Sequence, residues 1–355
     1  MSQIIKQVIG IDCSMDTLDC SYGFLGSDLK QSIQPVQVFS NDAKGFKKLV
    51  AWSQKKIDKS VSNVFLVEAT GVYHELLANY LVDNELKVSV VLPNRTSNFF
   101  RTTKIKTIND PSSSRMITQF GLEKEIDLWK KPDAVFLFLK QLTREREQLV
   151  GERTSIKNQL HAETKGAFPD SGSVKRIKQR LKLIGNQIKE IEKEILDQVE
   201  KNPELKRKVE NICTINGVGL LTCIIVIAET NGFDLIRNKK QLVSYAGLDV
   251  IEKQSGTSVR SKPRISRKGN RHIRKALYFP AFSAIKYTDQ MKNHYAHLIS
   301  RHGIKMKAAV AIQRKLLVLI YTLWKTNEIY IENYEQKKLG RQLLATPMEL
   351  DQVCP

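Results

Sequence analysis

Two acidic residues stand in apolar segments near the start of the chain. Asp12 lies inside the segment VIGIDCS, and Glu68 ends the segment NVFLVEA. A carboxylate in an apolar strand is costly unless positive charge lies against it. Either residue could simply cap the following turn, but two carboxylates at one point could bind a hard cation such as Mg²⁺ through oxygen. The pair therefore favours metal-dependent phosphodiester chemistry.

A third acid, Asp110, precedes Pro111 and the segment PSSSRMITQFG, which we predict to be a helix. Aspartate directly before proline is typical of a helix N-terminus, where the carboxylate accepts hydrogen bonds from free backbone amides. The same carboxylate could bind the cation. The residues alone leave both interpretations open.

Ser255 precedes a glycine in the segment KQSGT. Glycine permits close approach of the backbone, and the guanidinium groups that follow could stabilise charge on a phosphate. A serine hydroxyl needs activation, however, and no histidine or aspartate partner lies nearby in sequence. A nucleophile and a structural turn both remain open, and Ser258 or Ser261 could be the attacking hydroxyl instead.

Basic residues are dense around Ser255, with no acid after Glu252 in this stretch. The formal net charge of +20 and the pI near 9.6 indicate attraction to polyanions, and we favour nucleic acid over a membrane surface. A charge run can be only a solvated face, but Gly256, Pro263 and Gly269 keep much of this one in a loop. The candidate nucleic-acid-binding residues are Lys253, Arg260, Lys262, Arg264, Arg267, Lys268, Arg271, Arg274 and Lys275.

The elements that must position the acids form an alternating pattern over the first hundred residues, read as βββαβαβ. In this order the first and fourth strands are neighbours at the centre of the sheet. Asp12 and Glu68 would then lie close together. We predict an α/β domain over residues 1–131.

Residues 132–209 lose strand character and become highly charged, with apolar residues at alternating spacings of three and four, typical of a coiled coil. The segment GAFPDSG divides them, which predicts a helical hairpin with arms on the order of 40–50 Å at about 1.5 Å per residue. Such arms should project as a stalk or pair with another copy.

Residues 210–333 are predicted to form a mostly helical domain that carries Ser255, followed by a polar tail at 334–355. Gly217 and Gly219 in INGVGLL resemble the turn of a helix-hairpin-helix, which can bind a phosphate, although a tight turn into a buried helix explains them equally well. No segment approaches the roughly 20 apolar residues of a membrane span, and no secretory signal is evident. We expect a cytoplasmic, nucleoid-associated protein with reduced cysteines.

The ordered motifs resemble the DEDD-type insertion-sequence transposases, the bridge-RNA-guided serine recombinases related to the Piv pilin-gene invertase. The resemblance covers nearly the whole chain. Its N-terminal motifs are GIDCSMDTLD, VEATGVYHELL and NDPSSSRMITQFG, and its C-terminal motifs are INGVGLLTCIIVIAE, QLVSYAGLDV, KQSGTSVR and ISRKGNRHIRKALY.

This resemblance implies a RuvC-like N-terminal domain of the RNase H fold that binds Mg²⁺ through four acids. Asp12, Glu68 and Asp110 match the first three, while Ser113 stands where the fourth acid is expected. Serine can ligate but adds no negative charge, so it should bind the cation more weakly than aspartate. Met15 is a second departure, at a position where the family commonly has lysine.

The resemblance also implies that Ser255 attacks a DNA phosphodiester and forms a covalent phosphoserine link. The implied partners are donor and target DNA, a structured guide RNA and further copies of the chain in a dimer or tetramer. Two alternatives stay open: a RuvC-like nuclease in which water attacks, and a catalytically impaired nucleic-acid-binding protein, which the Ser113 departure suggests.

Overall fold

The computed structural model describes residues 3–103, 110–234, 236–252, 254–255, 259–260 and 263–332. At positions 110–111, 254–255 and 259–260 the description covers the backbone alone. The chain forms two compact units, Met1–Lys131 and Pro132–Pro355. The first is mixed α/β and the second is mostly helical.

A mixed sheet is the centre of the first unit. Its strand order is β3-β2-β1-β5-β6, and β4 also pairs with β2. β1 and β2 are antiparallel, whereas β1, β5 and β6 run parallel. The strands are β1 Ile4–Cys13, β2 Thr17–Gly26, β3 Gln31–Ile33, β4 Gln37–Ser40, β5 Asn63–Glu68 and β6 Val88–Val91.

The parallel pairing of β1 with β5 confirms the prediction that the strands carrying Asp12 and Glu68 are neighbours. The predicted strand count was wrong by one. Two short strands, β3 and β4, pair with different parts of β2 where a single strand was expected. Pro35 lies between them and has no backbone N–H, so it cannot donate to a continuous ladder there.

Helices cover both faces of this sheet. Ile9 of β1 packs in one core with Leu49 and Leu77, which belong to α1 and α2. Val8 lies on the opposite face, in a second core with Ile117 of α4, because successive strand residues point to opposite sides. The helices of this unit are α1 Ala43–Lys56, α2 Glu75–Asp83, α3 Pro93–Phe100 and α4 Asp110–Glu123.

Gly10 of β1 lets α4 approach the sheet closely. A Cβ atom there would overlap both the backbone nitrogen and the hydroxyl of Thr118. We expect Gly10→Ala to lower the free energy of unfolding by about 2–3 kcal/mol through overpacking.

Gly185 in the second unit is the matched control, because a Cβ atom there meets nothing within 4 Å. Its replacement by alanine should stabilise the helix by about 0.5–1 kcal/mol. Urea unfolding curves measure both, and a Gly10→Ala protein as stable as the parent would contradict this packing.

The second unit begins with two long helices, α5 Ala134–Lys165 and α6 Ser171–Glu200, which pack against each other as a hairpin. Asp170 caps α6 by accepting hydrogen bonds from the amides of Gly172 and Ser173. The end of the hairpin nearest to the loop has a core of its own, whereas Leu139 and Ile195 near the other end belong to the core of the remaining helices. Whether the arms act as a separate coiled-coil domain stays a prediction.

The remaining helices share one core. The predicted domain boundary at residue 210 falls inside α7. The helical structure is interrupted earlier, between α6 and α7, where Asn202 caps α7 and Pro203 is its first residue. Three helices follow α10. Every helix within the described residues is too short or too polar to cross a lipid bilayer. The helices are α7 Pro203–Cys213, α8 Leu220–Glu229, α9 Lys239–Tyr245, α10 Arg271–Ala276, α11 Tyr278–Tyr287, α12 Asp289–His302 and α13 Lys305–Thr326.

Candidate functional site

An acidic cleft opens at one edge of the sheet in the first unit. It has a volume of about 790 Å³ and is lined by residues from β1, β2, β5, α3 and α4 and from the loops beside them. Asp12 and Glu68 both line it, as the neighbouring parallel strands require. The other lining residues are Cys13, Ser14, Met15, Asp19, Thr70, Tyr73, Ser97, Phe100, Arg101, Thr103 and Ser113.

Glu68 lies half-buried in this cleft. Burial raises the pKa of its carboxyl group, although a hydrogen bond donated by the Thr96 hydroxyl at 3.0 Å opposes the rise. The Cys13 thiol is affected by the same carboxylates. Burial, followed by the negative charges of Asp12 and Glu68, raises the pKa of this thiol to about 12. The cleft therefore concentrates negative charge that a bound cation would relieve.

Ser113 lies on the first turns of α4 and faces the same cleft, with 8% of its surface exposed. Asp110 begins that helix. Its carboxylate lies outside the described side chains, so the choice between a helix cap and a metal ligand stays a prediction. Ser113 therefore shares the cleft with Asp12 and Glu68, and its match to the fourth acid stays a prediction.

Asp19 also lines the cleft and was missed in the sequence. It lies directly opposite Asp12 in the β1–β2 pairing and is only 6% exposed. Residues 14–16 form the tight connection between the strands, and the Ser14 amide donates to the carbonyl of Thr17, the first residue of β2, at 2.9 Å. A hairpin assignment of GIDCSMDTLD would have paired the two aspartates, because antiparallel strands place opposite residues on one face.

The donors in this cleft suit a hard divalent cation, since they are carboxylate and hydroxyl oxygens. Among the side chains that the structure describes, no three histidine, cysteine, aspartate or glutamate residues converge closely enough to form a complete cation site. The expected third ligand, Asp110, is not among those side chains. Asp12 and Glu68 with Ser113 thus provide part of a site whose donor chemistry fits the metal.

The basic stretch of the second unit is built on two short strand pairs. β7 Val250–Ile251 pairs with β10 Arg264–Ile265, and β8 Gln254–Ser255 pairs with β9 Val259–Arg260. The Ser255 backbone lies opposite Val259 in this pairing. Its hydroxyl is outside the described side chains, as are those of Ser258 and Ser261.

The predicted nucleic-acid-binding residues differ in their surroundings. Exposed positions are held by Arg264, Arg267, Lys268, Arg271 and Lys275. The Arg274 guanidinium instead donates to the carbonyls of Ala246 at 2.7 Å and Gly269 at 3.1 Å, and burial lowers its pKa. Arg274 therefore clamps the basic stretch to the end of α9. Lys253, Lys262 and the Arg260 side chain lie outside the described part.

The turn INGVGLL packs tightly. Gly217 has a φ of +92°, and a Cβ atom there would lie 2.8 Å from backbone atoms of Pro280 and Ala284 in α11. The close approach supports the interpretation of Gly217 as a tight turn into the buried helix α8, and phosphate binding by this turn stays a prediction.

A buried ion pair also fixes the basic stretch. The Glu229 carboxylate is fully buried and accepts hydrogen bonds from Arg144 Nε at 2.7 Å and Nη2 at 3.0 Å. Asn270 Nδ2 donates to the same carboxylate at 2.6 Å, while its side-chain oxygen caps α10. Sequence reasoning missed this network, because Arg144 lies 85 residues and Asn270 lies 41 residues from Glu229 along the chain.

Two family models match the chain. Residues 9–169 match a DEDD transposase model, and residues 209–296 match the model described as Transposase IS116/IS110/IS902 family. The pilin gene-inverting protein of Moraxella bovis is 26% identical over 91% of this chain and 97% of that relative. The protein of the same name from Moraxella lacunata is 27% identical over 91% and 97%.

Two solved structures share weaker likeness. RuvC of T. thermophilus, solved with a Holliday junction substrate, is 8% identical, covers 35% of this chain and 99% of its own length, and has a TM-score of 0.26. A Ppx/GppA family member from Aquifex aeolicus is 11% identical, covers 96% and 98%, and has a TM-score of 0.20. The family assignment rests instead on the two models and on the full-length relatives. The chain carries two IS110-family transposase domains, at residues 9–169 and 209–296, and is homologous over most of its length to the pilin gene-inverting proteins.

Proposed function

We propose that this transposase is a Mg²⁺-dependent, RNA-guided DNA recombinase that moves an insertion sequence. The observation that carries the proposal is the acidic cleft, in which Asp12 and Glu68 of neighbouring parallel strands open onto one space together with Ser113. Hydrolysis is not required, because a serine nucleophile would conserve the bond energy for rejoining.

Asp12, Glu68 and Asp110 would bind the cation, with Ser113 as a neutral fourth donor. Bound Mg²⁺ would supply positive charge to a phosphodiester oxygen. The protein's own contribution is to bring the carboxylates of Asp12 and Glu68 from two neighbouring strands to the same cleft, which Asp110 would join from α4. The buried Thr96 hydroxyl fixes the orientation of the Glu68 carboxylate through its hydrogen bond.

Ser255 would be the nucleophile. Its oxygen forms a bond to phosphorus while the bond to one deoxyribose oxygen breaks, and the serine proton passes to solvent as the leaving oxygen takes up another. A deoxyribose hydroxyl then attacks the phosphoserine link and regenerates the serine. The number of phosphodiester bonds is unchanged, so recombination needs no ATP.

A structured RNA from the element would select donor and target DNA by base pairing, which leaves the protein to bind backbone and shape. The net charge of +20 suits this task. The acidic cleft and Ser255 would meet between protomers of a dimer or tetramer, close to nucleoid DNA in the cytoplasm.

Restoring the fourth acid tests the metal site. We expect Ser113→Asp to lower the Mg²⁺ concentration for half-maximal DNA cleavage by about 10-fold, because a carboxylate binds the cation more strongly than a hydroxyl. Cleavage of a labelled DNA duplex spanning the element's ends, with the element's RNA present, gives one readout, and calorimetric titration with Mn²⁺ gives a second without DNA.

Two variants serve as references for this test. Ser113→Asn introduces a side chain with nearly the shape of aspartate but without its charge, so it should behave like the parent. Glu68→Gln should lose metal-dependent cleavage. An unchanged Mg²⁺ requirement and unchanged Mn²⁺ affinity in Ser113→Asp would show that this position does not contact the cation. Absence of cleavage in the parent with recovery in Ser113→Asp would identify a decayed enzyme.

The nuclease alternative predicts a different pattern. If water attacks, strands are cut and not rejoined, and Ser255→Ala keeps its cleavage activity while Asp12→Ala loses it. No described contact favours this alternative over the serine mechanism.

A further inference from the structure

One face of α11 exposes a cluster of aromatic side chains, here called the aromatic patch: Tyr278, Phe279 and Phe282. Their exposed fractions are 37%, 77% and 38%. The centroid of the Tyr278 ring lies 5.2 Å from the ring centroids of Phe279 and Phe282, at interplanar angles of 85° and 66° respectively. Single exposed apolar residues are ordinary, but three adjoining aromatic rings on one helix indicate a contact surface.

The core of the second unit is contacted by the opposite face of α11, which does not carry these rings. Pro280, Ala281 and Ala284 point into the core, and the Gly217 turn packs directly against the helix backbone. The small residues on the buried side hold the helix close to the core. The larger aromatic residues are therefore left on the outer side, where the Tyr278 ring contacts the rings of Phe279 and Phe282.

Basic residues precede and follow the aromatic patch along the chain. The sequence has no aspartate or glutamate between Glu252 and Asp289. Arg271 is exposed on the preceding helix, where Lys275 donates to Glu147 at 2.9 Å. The Lys286 ammonium lies 5.0 Å from the Tyr287 ring centre at the end of α11. A partner for this surface should combine flat apolar groups with negative charge.

We propose that the aromatic patch stacks against unpaired bases of a single-stranded nucleic-acid segment. Bases in a stacked duplex do not present their faces, whereas a single strand offers both base faces and phosphates, and aromatic rings beside basic residues are the usual means of binding it. A second copy of the chain fits less well, because a two-fold contact through this patch would place like-charged residues opposite each other. The inference holds whichever residue cleaves DNA.

The test measures binding of the full-length chain in EDTA, so that it does not depend on cleavage. Fluorescence anisotropy compares a labelled DNA single strand with a strand of the same length whose central nucleotides are abasic. We expect Phe279→Ala to weaken binding of the natural strand by about 10-fold and to leave the abasic strand unaffected, because the phosphates are the same in both. Phe279→Trp should retain binding.

Phe168 provides a matched control, since it is 96% exposed in the loop between α5 and α6, far along the chain from α11. Phe168→Ala should bind both strands like the parent. Equal affinity of parent and Phe279→Ala for the natural strand would overturn the proposal, as would equal losses on both strands. Dissociation of an oligomer by Phe279→Ala in light scattering, with strand binding unchanged, would assign the patch to contacts between copies and also overturn it.

Discussion

Replacing Ser255 by alanine is expected to abolish the covalent link between the protein and DNA. The hydroxyl is the only part of the side chain that can form a phosphoester, so no adduct can form without it, and recombination should fall by roughly 10³-fold or more. The measurement is a denaturing gel of end-labelled DNA incubated with protein, Mg²⁺ and the element's RNA. The parent should show a protein–DNA band that resists denaturation.

Neighbouring serines provide the controls for this result. Ser258→Ala and Ser261→Ala should keep the adduct, and digestion of the parent adduct should place the phosphate on the peptide containing Ser255. An adduct that persists in Ser255→Ala and disappears in Ser258→Ala or Ser261→Ala would move the nucleophile to that residue. Strand cleavage without any adduct would instead support attack by water.

The sheet of the first unit was predictable because its signals are local. Apolar alternation identified the strands, and their order placed Asp12 beside Glu68. The division of the edge strand at Pro35 was missed, because a three-residue strand such as β3 contains too little pattern to recognise. Asp19 was missed for another reason: its position in the cleft depends on the register across a turn rather than on its neighbours in sequence.

The second unit was less predictable because its important contacts are distant in sequence. Periodicity revealed the hairpin helices, since each has an apolar seam. It could not reveal that Arg274 serves the fold of the basic stretch, because a structural arginine and a nucleic-acid-binding arginine look the same in a sequence. Three-dimensional contacts separate the two roles. They also place two acids of other helices against this basic stretch, with Glu229 bound to Asn270 and Glu147 bound to Lys275.

The Glu229→Gln change is expected to lower the free energy of unfolding by about 3 kcal/mol. It removes the negative partner of Arg144 from a fully buried position and turns an amide donor towards Arg144 or Asn270, which are donors themselves. The value lies at the lower end for a broken buried pair, because the Arg144 side chain is 45% exposed and can be hydrated. Urea unfolding measures it.

Glu204→Gln is the matched control. Glu204 pairs with Lys208 at 2.7 Å on the surface of α7, where solvent screens the interaction, so this change should leave the urea midpoint within experimental error. Hydrogen exchange adds a local readout, because Asn270 caps α10 and residues 266–276 should exchange faster in Glu229→Gln alone. Equal unfolding midpoints for the parent and Glu229→Gln would contradict the proposed role of the ion pair.

The difference in free energy of unfolding between the parent and Glu229→Gln depends on pH through the pKa of Glu229. Burial by itself would raise the pKa, but the hydrogen bonds and charge of Arg144, with the hydrogen bond from Asn270, lower it below the ordinary value of 4.5. A lowered pKa in the folded state contributes stability that is fully present above the unfolded pKa and is lost as the pH falls through the folded pKa. The gap between the parent and Glu229→Gln should therefore be constant near neutral pH and shrink in acid below about 4.5. A gap that widened in acid would mean that the carboxyl group is protonated in the native protein, and the ion pair with Arg144 would then be absent.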